Sequence, residues 1–240
     1  MSKIEVPEIL SCNNVAIYYQ PILCNKTKQL FKYEALMRLK YDGKILLPDE
    51  FMQRSKDFGA YAKLSEKMVK KVFEDLRRFS LLQVSINVSM LNIINIPFCK
   101  LLFNQIRSIK NPGRVTIEFI ETDKMDFGKA LCFLSEMKKL GVKISIDDFG
   151  TGYSNFDSLM QADFDYLKID GGIIKNISLP KSETIVSSIL HYCREHDVKI
   201  VAEHVETEEI QRKVCSMGID YSQGFYIGEP SASLICKISR

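Results

Sequence analysis

This 240-residue sequence has no long hydrophobic run and no block of basic residues. No stretch approaches the roughly 18 apolar residues that a membrane-spanning helix requires, and residues 1–5 contain no apolar signal-peptide core. The 33 Lys and Arg residues are mixed with 30 Asp and Glu, and the basic ones form only short pairs such as Lys70-Lys71 and Arg77-Arg78. We therefore expect a soluble, cytoplasmic protein that binds no duplex nucleic acid, although its net charge of +3 is compatible with a small anionic ligand.

The sequence also lacks a cysteine pattern and an internal linker. Its seven cysteines are scattered and never have the spacing of a metal knuckle or a redox pair, which argues against a disulfide framework and is typical of reduced cytosolic thiols. Two of the three histidines, His191 and His196, are not spaced as a metal-binding pair. No Pro/Gly/Ser-rich segment divides the chain, so we expect one domain over residues 1–240.

Strand and helix patterns alternate along the chain. The helical patterns cover residues 60–79, 127–140, 182–195 and 207–217, and Gly141 and Gly218 end the second and the fourth. Strands are predicted near residues 15–20, 30–38, 83–88, 114–120, 142–147, 165–169, 198–203 and 219–226. This alternation indicates an α/β fold with a parallel sheet, and the spacing alone favours a (β/α)8 barrel over an open doubly wound sheet.

Polar side chains occur near the ends of several strands. In each strand one parity is apolar and the other has the polar group, as the two-residue period of a strand requires. The residues concerned are Asn87, Glu118, Asp147 and Glu203, with Glu34, Leu36 and Arg38 on one parity of an earlier strand and Lys168 and Asp170 on one parity of a later one. In a barrel these side chains converge on one mouth, where several carboxylates need cations among them, and oxygen ligands favour Mg²⁺ or Mn²⁺.

A series of motifs, in order over almost the whole chain, resembles the EAL domains, bacterial phosphodiesterases that cleave cyclic di-GMP. Glu34-Ala35-Leu36-Met37-Arg38 matches the signature that names the family. The other matches are Tyr19-Gln20-Pro21-Ile22, Pro48-Asp49-Glu50-Phe51, Asn87-Val88-Ser89, Glu118-Phe119-Ile120-Glu121, Asp147-Asp148-Phe149-Gly150-Thr151-Gly152-Tyr153-Ser154, Leu167-Lys168-Ile169-Asp170, Ala202-Glu203 and Gln223-Gly224-Phe225.

The resemblance implies a modified (β/α)8 barrel, from about residue 12 to residue 238, whose first strand is antiparallel to its neighbours. It also implies hydrolysis of cyclic di-GMP to linear pGpG with two Mg²⁺ or Mn²⁺ ions per active site. A homodimer is implied as well, with a further protein partner left open. In this family, lowering cyclic di-GMP generally favours motility over biofilm.

The resemblance also assigns roles to individual residues. Glu203 and Lys168 are the catalytic candidates, and Glu203 is either a general base or a metal or water ligand. The implied ligands of the first metal are Glu34, Asn87, Glu118 and Asp147, and those of the second are Asp147 and Asp148. The implied substrate contacts are Gln20, Leu36, Arg38, Asp170 and Gln223. For Asp170 the alternative is an ion pair with Lys168. Glu121, Gly150, Thr151 and Gly152 support the loop after Asp148.

Three positions differ from the family pattern: His204 where glycine is usual, Ile120 where threonine is usual, and Gly228 where a small hydroxyl residue is common. None of them removes a predicted metal ligand, which favours an active enzyme. The alternatives are an impaired EAL protein that binds cyclic di-GMP as a receptor, or an adaptor that binds protein partners.

Overall fold

The computed structural model describes residues 14–120, 127–150 and 163–234. Nine strands lie in this part of the chain. They are β1 Val15–Cys24, β2 Leu30–Tyr41, β3 Lys44–Leu46, β4 Val84–Ser89, β5 Val115–Ile120, β6 Lys143–Phe149, β7 Tyr166–Ile169, β8 Lys199–Ala202 and β9 Tyr221–Gln223. The last two are shorter than the sequence patterns indicate.

Eight of these strands close into a barrel. Going round it, the order is β1, β2, β4, β5, β6, β7, β8 and β9, and β1 closes the ring by pairing with both β2 and β9. The β1 strand is antiparallel to both neighbours, while the pairs from β2 and β4 round to β8 and β9 are parallel. The short strand β3 pairs with β2 outside the ring. The predicted barrel with an antiparallel first strand is confirmed, and the open-sheet alternative is wrong.

Eight α-helices lie in the described part of the chain, and four of them match the predicted helical segments. They are α1 Pro48–Asp57, α2 Tyr61–Arg78, α3 Met90–Ile93, α4 Ile96–Arg107, α5 Phe127–Lys139, α6 Gly171–Ile174, α7 Pro180–Glu195 and α8 Glu208–Met217. None of the helices described is long and apolar enough to cross a membrane.

The sequence patterns missed the short helices α3 and α6 and also the longer α1 and α4. Both of the longer helices begin with local signals rather than with long periodicity. Pro48 is in the first turn of α1 with Asp49 and Glu50, where acidic groups favour the helix dipole. Asn95 caps α4 by accepting a hydrogen bond from Phe98 N at 2.9 Å.

The hydrophobic core lies outside the barrel rather than within it. Outward-facing side chains such as Val84, Ile86 and Ile117 are buried against the surrounding helices. The α2 helix contributes Phe73, which is likewise fully buried. The inward faces of the same strands are therefore available for polar groups.

Candidate metal centre

The ammonium of Lys168 lies at the centre of a ring of four carboxylates. Its Nζ atom is 3.4 Å from Glu34 Oε2 on β2 and 3.1 Å from Glu118 Oε2 on β5. It is also 2.9 Å from Asp147 Oδ1 on β6 and 2.8 Å from Glu203 Oε1, directly after β8. The inward faces of β2, β5 and β6 and the residue that follows β8 thus place these four acids, which we name the acidic ring, at one end of the barrel.

Lys168 does not neutralise the acidic ring, because it is one cation among four acids. Burial lowers the pKa of Lys168, but Asp147, Glu118 and the other two carboxylates outweigh burial and raise it well above its usual value. The ammonium therefore remains charged. A surplus of negative charge is left in a place where Lys168 and Glu118 are almost fully buried.

Glu34 is positioned by two amide side chains. Asn87 Nδ2 donates a hydrogen bond to Glu34 Oε1 at 2.6 Å, and Gln223 Nε2 donates one to Oε2, also at 2.6 Å. Burial raises the pKa of Glu34, but Lys168 and the two amides outweigh burial and leave that pKa below its ordinary value. Glu34 is accordingly held as a carboxylate. Gln223 Nε2 also approaches Gln20 Oε1 at 3.2 Å, so Gln20 lies next to this group.

Three buried oxygen atoms at or beside the acidic ring have no hydrogen-bond partner among the described residues: Glu118 Oε1, Asn87 Oδ1 and Gln223 Oε1. The first two belong to predicted metal ligands. Burial raises the pKa of Glu118 to about 7, against the attraction of Lys168. Unpartnered buried acceptors are costly, and the oxygens of Glu118 and Asn87 are hard ligands of the kind that Mg²⁺ and Mn²⁺ prefer. The donor set therefore fits a divalent cation.

A second group of oxygens lies beside the first. Asp147, Asp148 and Glu203 each offer a ligand atom, and these atoms lie within 4.8 Å of one another. The β6–β7 ladder changes register between Ile146 and Phe149, and Asp148 has a φ of 54°, a backbone geometry that directs this residue away from the regular strand pattern. Burial raises the pKa of both Asp147 and Glu203. A bound metal ion would offset the free-energy cost of burying these two carboxylates in their charged forms.

A cavity of about 220 Å³ opens over the acidic ring. It is lined by Gln20, Glu34, Leu36, Asp147, Lys168, Glu203, His204, Glu206, Gln223, Gly224 and Phe225. Three of the five predicted substrate contacts, Gln20, Leu36 and Gln223, are thus in its wall. Arg38 is buried beside it, where its guanidinium donates to the carbonyl of Met37 at 2.9 Å and lies 5.6 Å from the Tyr18 ring centroid.

The remaining predicted positions lie elsewhere. Asp170 caps α6 by accepting from Gly172 N at 2.8 Å, and it is not among the four carboxylates paired with Lys168. Gly150 has a φ of 106°, and a side chain there would collide with Ile173. Glu121, Thr151 and Gly152 lie outside the described residues.

His204 follows Glu203 at the rim of the cavity. Its φ is 50°, an uncommon geometry for a residue with a side chain, and its Nδ1 atom lies 3.8 Å from Glu206 Oε1. The ring packs on Gly171, where an added Cβ would lie 2.5 Å from His204 Cδ2. The side chain is more than half exposed, so it lies beside the acidic ring without closing the cavity.

Sequence reasoning missed one charged residue inside the barrel, Lys32. It is 2% exposed and shares the inward parity of Glu34 on β2. The signal was available: Lys32 lies between Phe31 and Tyr33 in a strand, just as Lys168 lies between Leu167 and Ile169. A lysine in such surroundings needs a polar partner or a nearby anion.

The family follows from a match over nearly the whole chain. The sequence model described as EAL domain matches residues 5–230. The chain belongs to the EAL domain family. Two curated relatives of this EAL domain are cyclic di-GMP phosphodiesterases. PdeB of Shewanella oneidensis is 30% identical over 236 residues, or 95% of this chain. PdeF of Escherichia coli K12 is 32% identical over 206 residues, or 82% of this chain. This EAL domain spans 28% of the length of each.

Solved structures agree with the fold. An EAL domain protein from Listeria monocytogenes is 28% identical and superposes with a TM-score of 0.87, over 97% of this chain and 96% of that one. The PaMucR phosphodiesterase, solved as a complex with cyclic di-GMP, is also 28% identical, with a TM-score of 0.85 over 94% of this chain and 95% of that one.

Proposed function

We propose that this EAL domain hydrolyses cyclic di-GMP to linear pGpG with the help of two divalent cations, Mg²⁺ or Mn²⁺. The observation that carries the proposal is the acidic ring at the barrel mouth. There Glu118 Oε1 and Asn87 Oδ1 lack partners within the described part of the chain, and four acids surround Lys168. Relatives and a structural neighbour that are phosphodiesterases of cyclic di-GMP support the choice of substrate.

The proposed ligands form two overlapping sets. Glu34, Asn87, Glu118 and Asp147 would bind one cation, and Asp147 with Asp148 would bind the other. Two cations bound in this way supply charge stabilisation at the phosphate and a lowered pKa of water. Asn87 and Gln223 fix the Glu34 carboxylate before any ligand arrives, so this part of the site is preorganised.

Lys168 and Glu203 are the proposed catalytic residues. The Lys168 ammonium provides a fixed positive charge where negative charge builds up on phosphoryl oxygens. Glu203 has a pKa raised by burial, and its Oε1 lies 2.8 Å from Lys168 Nζ. A carboxylate with a raised pKa is suited to accept the proton of an attacking water at neutral pH, and metal or water ligation is the alternative role of Glu203.

The nucleotide would occupy the cavity above the acidic ring. Leu36, Gln20 and Gln223 line it and are proposed to contact the substrate. Arg38 and Asp170 are proposed as further contacts. Arg38 would need to exchange its bond to Met37 for phosphate oxygens, which a guanidinium binds in pairs.

The test is incubation of the purified protein with cyclic di-GMP and Mg²⁺ or Mn²⁺, followed by chromatography of the nucleotides. We expect release of pGpG, and we expect Glu34→Gln to reduce the rate by at least about 100-fold. Glu208→Gln is the matched control, because Glu208 is an exposed carboxylate paired with Arg212 on α8. Ca²⁺ should bind without supporting turnover, since its coordination is looser and more variable.

The same experiment separates the alternatives. Tight binding of cyclic di-GMP without turnover would overturn hydrolysis and support a receptor, and no binding at all would support a protein adaptor. The homodimer and the cytoplasmic location stay predictions; sedimentation with and without cyclic di-GMP tests the first.

A further inference from the structure

A second lysine lies inside the barrel below the acidic ring. Lys32 and Glu34 are two residues apart on the inward face of β2, as are Thr116 and Glu118 on β5 and Tyr166 and Lys168 on β7. One inward-facing position further from the mouth than Glu34, Glu118 and Lys168, the same three strands therefore place Lys32, Thr116 and Tyr166.

Within the described part of the chain, the direct contacts of Lys32 are with neutral groups. Its Nζ atom donates to Thr116 Oγ1 at 3.1 Å and lies 4.2 Å from the ring centroid of Tyr166. Among the described residues, no carboxylate forms an ion pair with it. A buried ammonium without an ion-pair partner is costly unless nearby charge stabilises it at longer range.

The nearby charge is that of the acidic ring. Burial lowers the pKa of Lys32 to about 8, and Glu118 is the strongest of the charges that oppose this. Lys32 acts in return on Glu118, because it is among the charges that counter the effect of burial on that carboxylate. The geometry agrees, because Lys32 bonds to Thr116, two residues before Glu118 on the inward face of β5, and so lies directly below this acid.

We propose that Lys32 is a positioning residue, a built-in counter-ion below the metal site that stabilises Glu118 in the metal-free protein and weakens the binding of divalent cations. A fixed positive charge behind the ligands repels an incoming cation and at the same time limits repulsion among the acids when no cation is bound. The inference rests on the proposed metal site but not on any hydrolysis.

The first test is titration calorimetry of the full chain with Mn²⁺ alone at pH 7, without nucleotide. Lys32→Met keeps the length of the side chain and removes its charge, and we expect it to tighten Mn²⁺ binding by at least about fivefold. Thr116→Val is the matched control: it removes the hydrogen-bond partner of Lys32 but no charge, so its Mn²⁺ affinity should stay within about twofold of wild type. Equal affinity in Lys32→Met and wild type would overturn the proposal.

The second test needs no metal binding and covers the case of a poorly folded variant. Thermal melting in EDTA is measured for wild type, Lys32→Met, Glu118→Gln and the double variant. If Lys32 is the counter-ion of Glu118, Lys32→Met lowers the melting temperature in the wild-type background and lowers it much less, or raises it, in the Glu118→Gln background. The same change in both backgrounds would overturn the proposal.

The two tests also distinguish this inference from the proposed function. A wild-type protein that binds no Mn²⁺ would contradict the proposed metal site, and the melting experiment would still decide whether Lys32 and Glu118 are coupled.

Discussion

The two faces of the barrel strands bury side chains of opposite character. Ile117 and Glu118 are neighbours on β5 and both are fully buried. Ile117 packs outward in the hydrophobic core, whereas Glu118 points inward toward Lys168 at 3.1 Å. One face therefore lowers the free energy of the fold by removing apolar surface from water, and the other retains charge at a cost.

This difference separates stability from function within single strands. The outer face is apolar and buried in the hydrophobic core, so it offers no ligand atoms. The inner face holds more negative than positive charge, and its buried oxygens Glu118 Oε1 and Asn87 Oδ1 have no partner among the described residues. Changes to the inner face should accordingly depend on divalent cations, and changes to the outer face should not.

The largest effect is expected from Lys168→Met. It leaves the acidic ring without its central cation, and removal of one partner from a buried charge group costs about 3–5 kcal/mol. Urea unfolding in EDTA should show this loss, and Mn²⁺ should recover part of it. The proposed hydrolysis of cyclic di-GMP should fall to background even when Mn²⁺ is present. A variant as stable as wild type in EDTA would contradict the view that Lys168 compensates the ring.

The next effect is expected from Ile117→Ala on the outer face. Loss of a fully buried side chain of this size costs roughly 2–5 kcal/mol through lost transfer energy and the cavity left behind. Urea unfolding should give the same loss in EDTA and in Mn²⁺. A loss that Mn²⁺ largely reverses would mean that the two faces are not independent.

A smaller effect is expected from pH in the metal-free protein. The pKa of Glu118 rises from 4.5 to about 7 in the folded state. A raised pKa means that the folded protein binds the proton more tightly, so this stabilisation is complete below 4.5 and is lost as pH rises through 7. Asp147 and Glu203 act in the same direction.

The measurement is the melting temperature in EDTA between pH 5 and pH 8, where we expect a decline with rising pH. Glu118→Gln should flatten the decline, and Glu208→Gln, which changes an exposed carboxylate, should leave it unaltered. A melting temperature that rises over this range would show that the acids are held in their charged forms without metal.

The smallest effect is expected from His204→Gly. Glycine adopts a positive φ without steric cost. Removing the backbone strain of His204 at its φ of 50° should therefore stabilise the fold by about 0.5–1 kcal/mol. Removal of the ring should keep or raise the rate of cyclic di-GMP hydrolysis. A large loss of activity at unchanged stability would show that His204 contributes to the reaction.

Strand parity predicted which side chains would gather at the candidate site, because Glu118, Asp147 and Lys168 lie within otherwise apolar strands. The order of the strands was not available from spacing. Barrel and open sheet have the same alternation of elements, and the antiparallel β1 came from the resemblance to EAL domains. Lys32 was missed although, like Lys168, it is a lysine between apolar or aromatic neighbours in a strand, because it lies outside the motifs that resemble EAL domains.

Local backbone geometry accounts for the remaining differences. The positive φ of Asp148 and the change of register beside it do not follow from the strand period, which predicts alternate faces for Asp147 and Asp148. Asp170 shares the parity of Lys168, yet it ends as the cap of α6 because the strand finishes one residue earlier. Sequence periodicity does not contain such terminal details.

The antiparallel β1 strand has a consequence for how a signal could enter the molecule. In the ladder with β2, Ala16 pairs with Arg38 and Gln20 pairs with Glu34, so the start of β1 lies at the rim that holds the acids. In an all-parallel barrel the first strand would start at the opposite end. Leu36, in the wall of the cavity, pairs with Tyr18, three residue pairs along the ladder from Val15. A pull on the polypeptide at Val15 would therefore act on the ladder at the cavity end of the barrel, without being transmitted through the barrel.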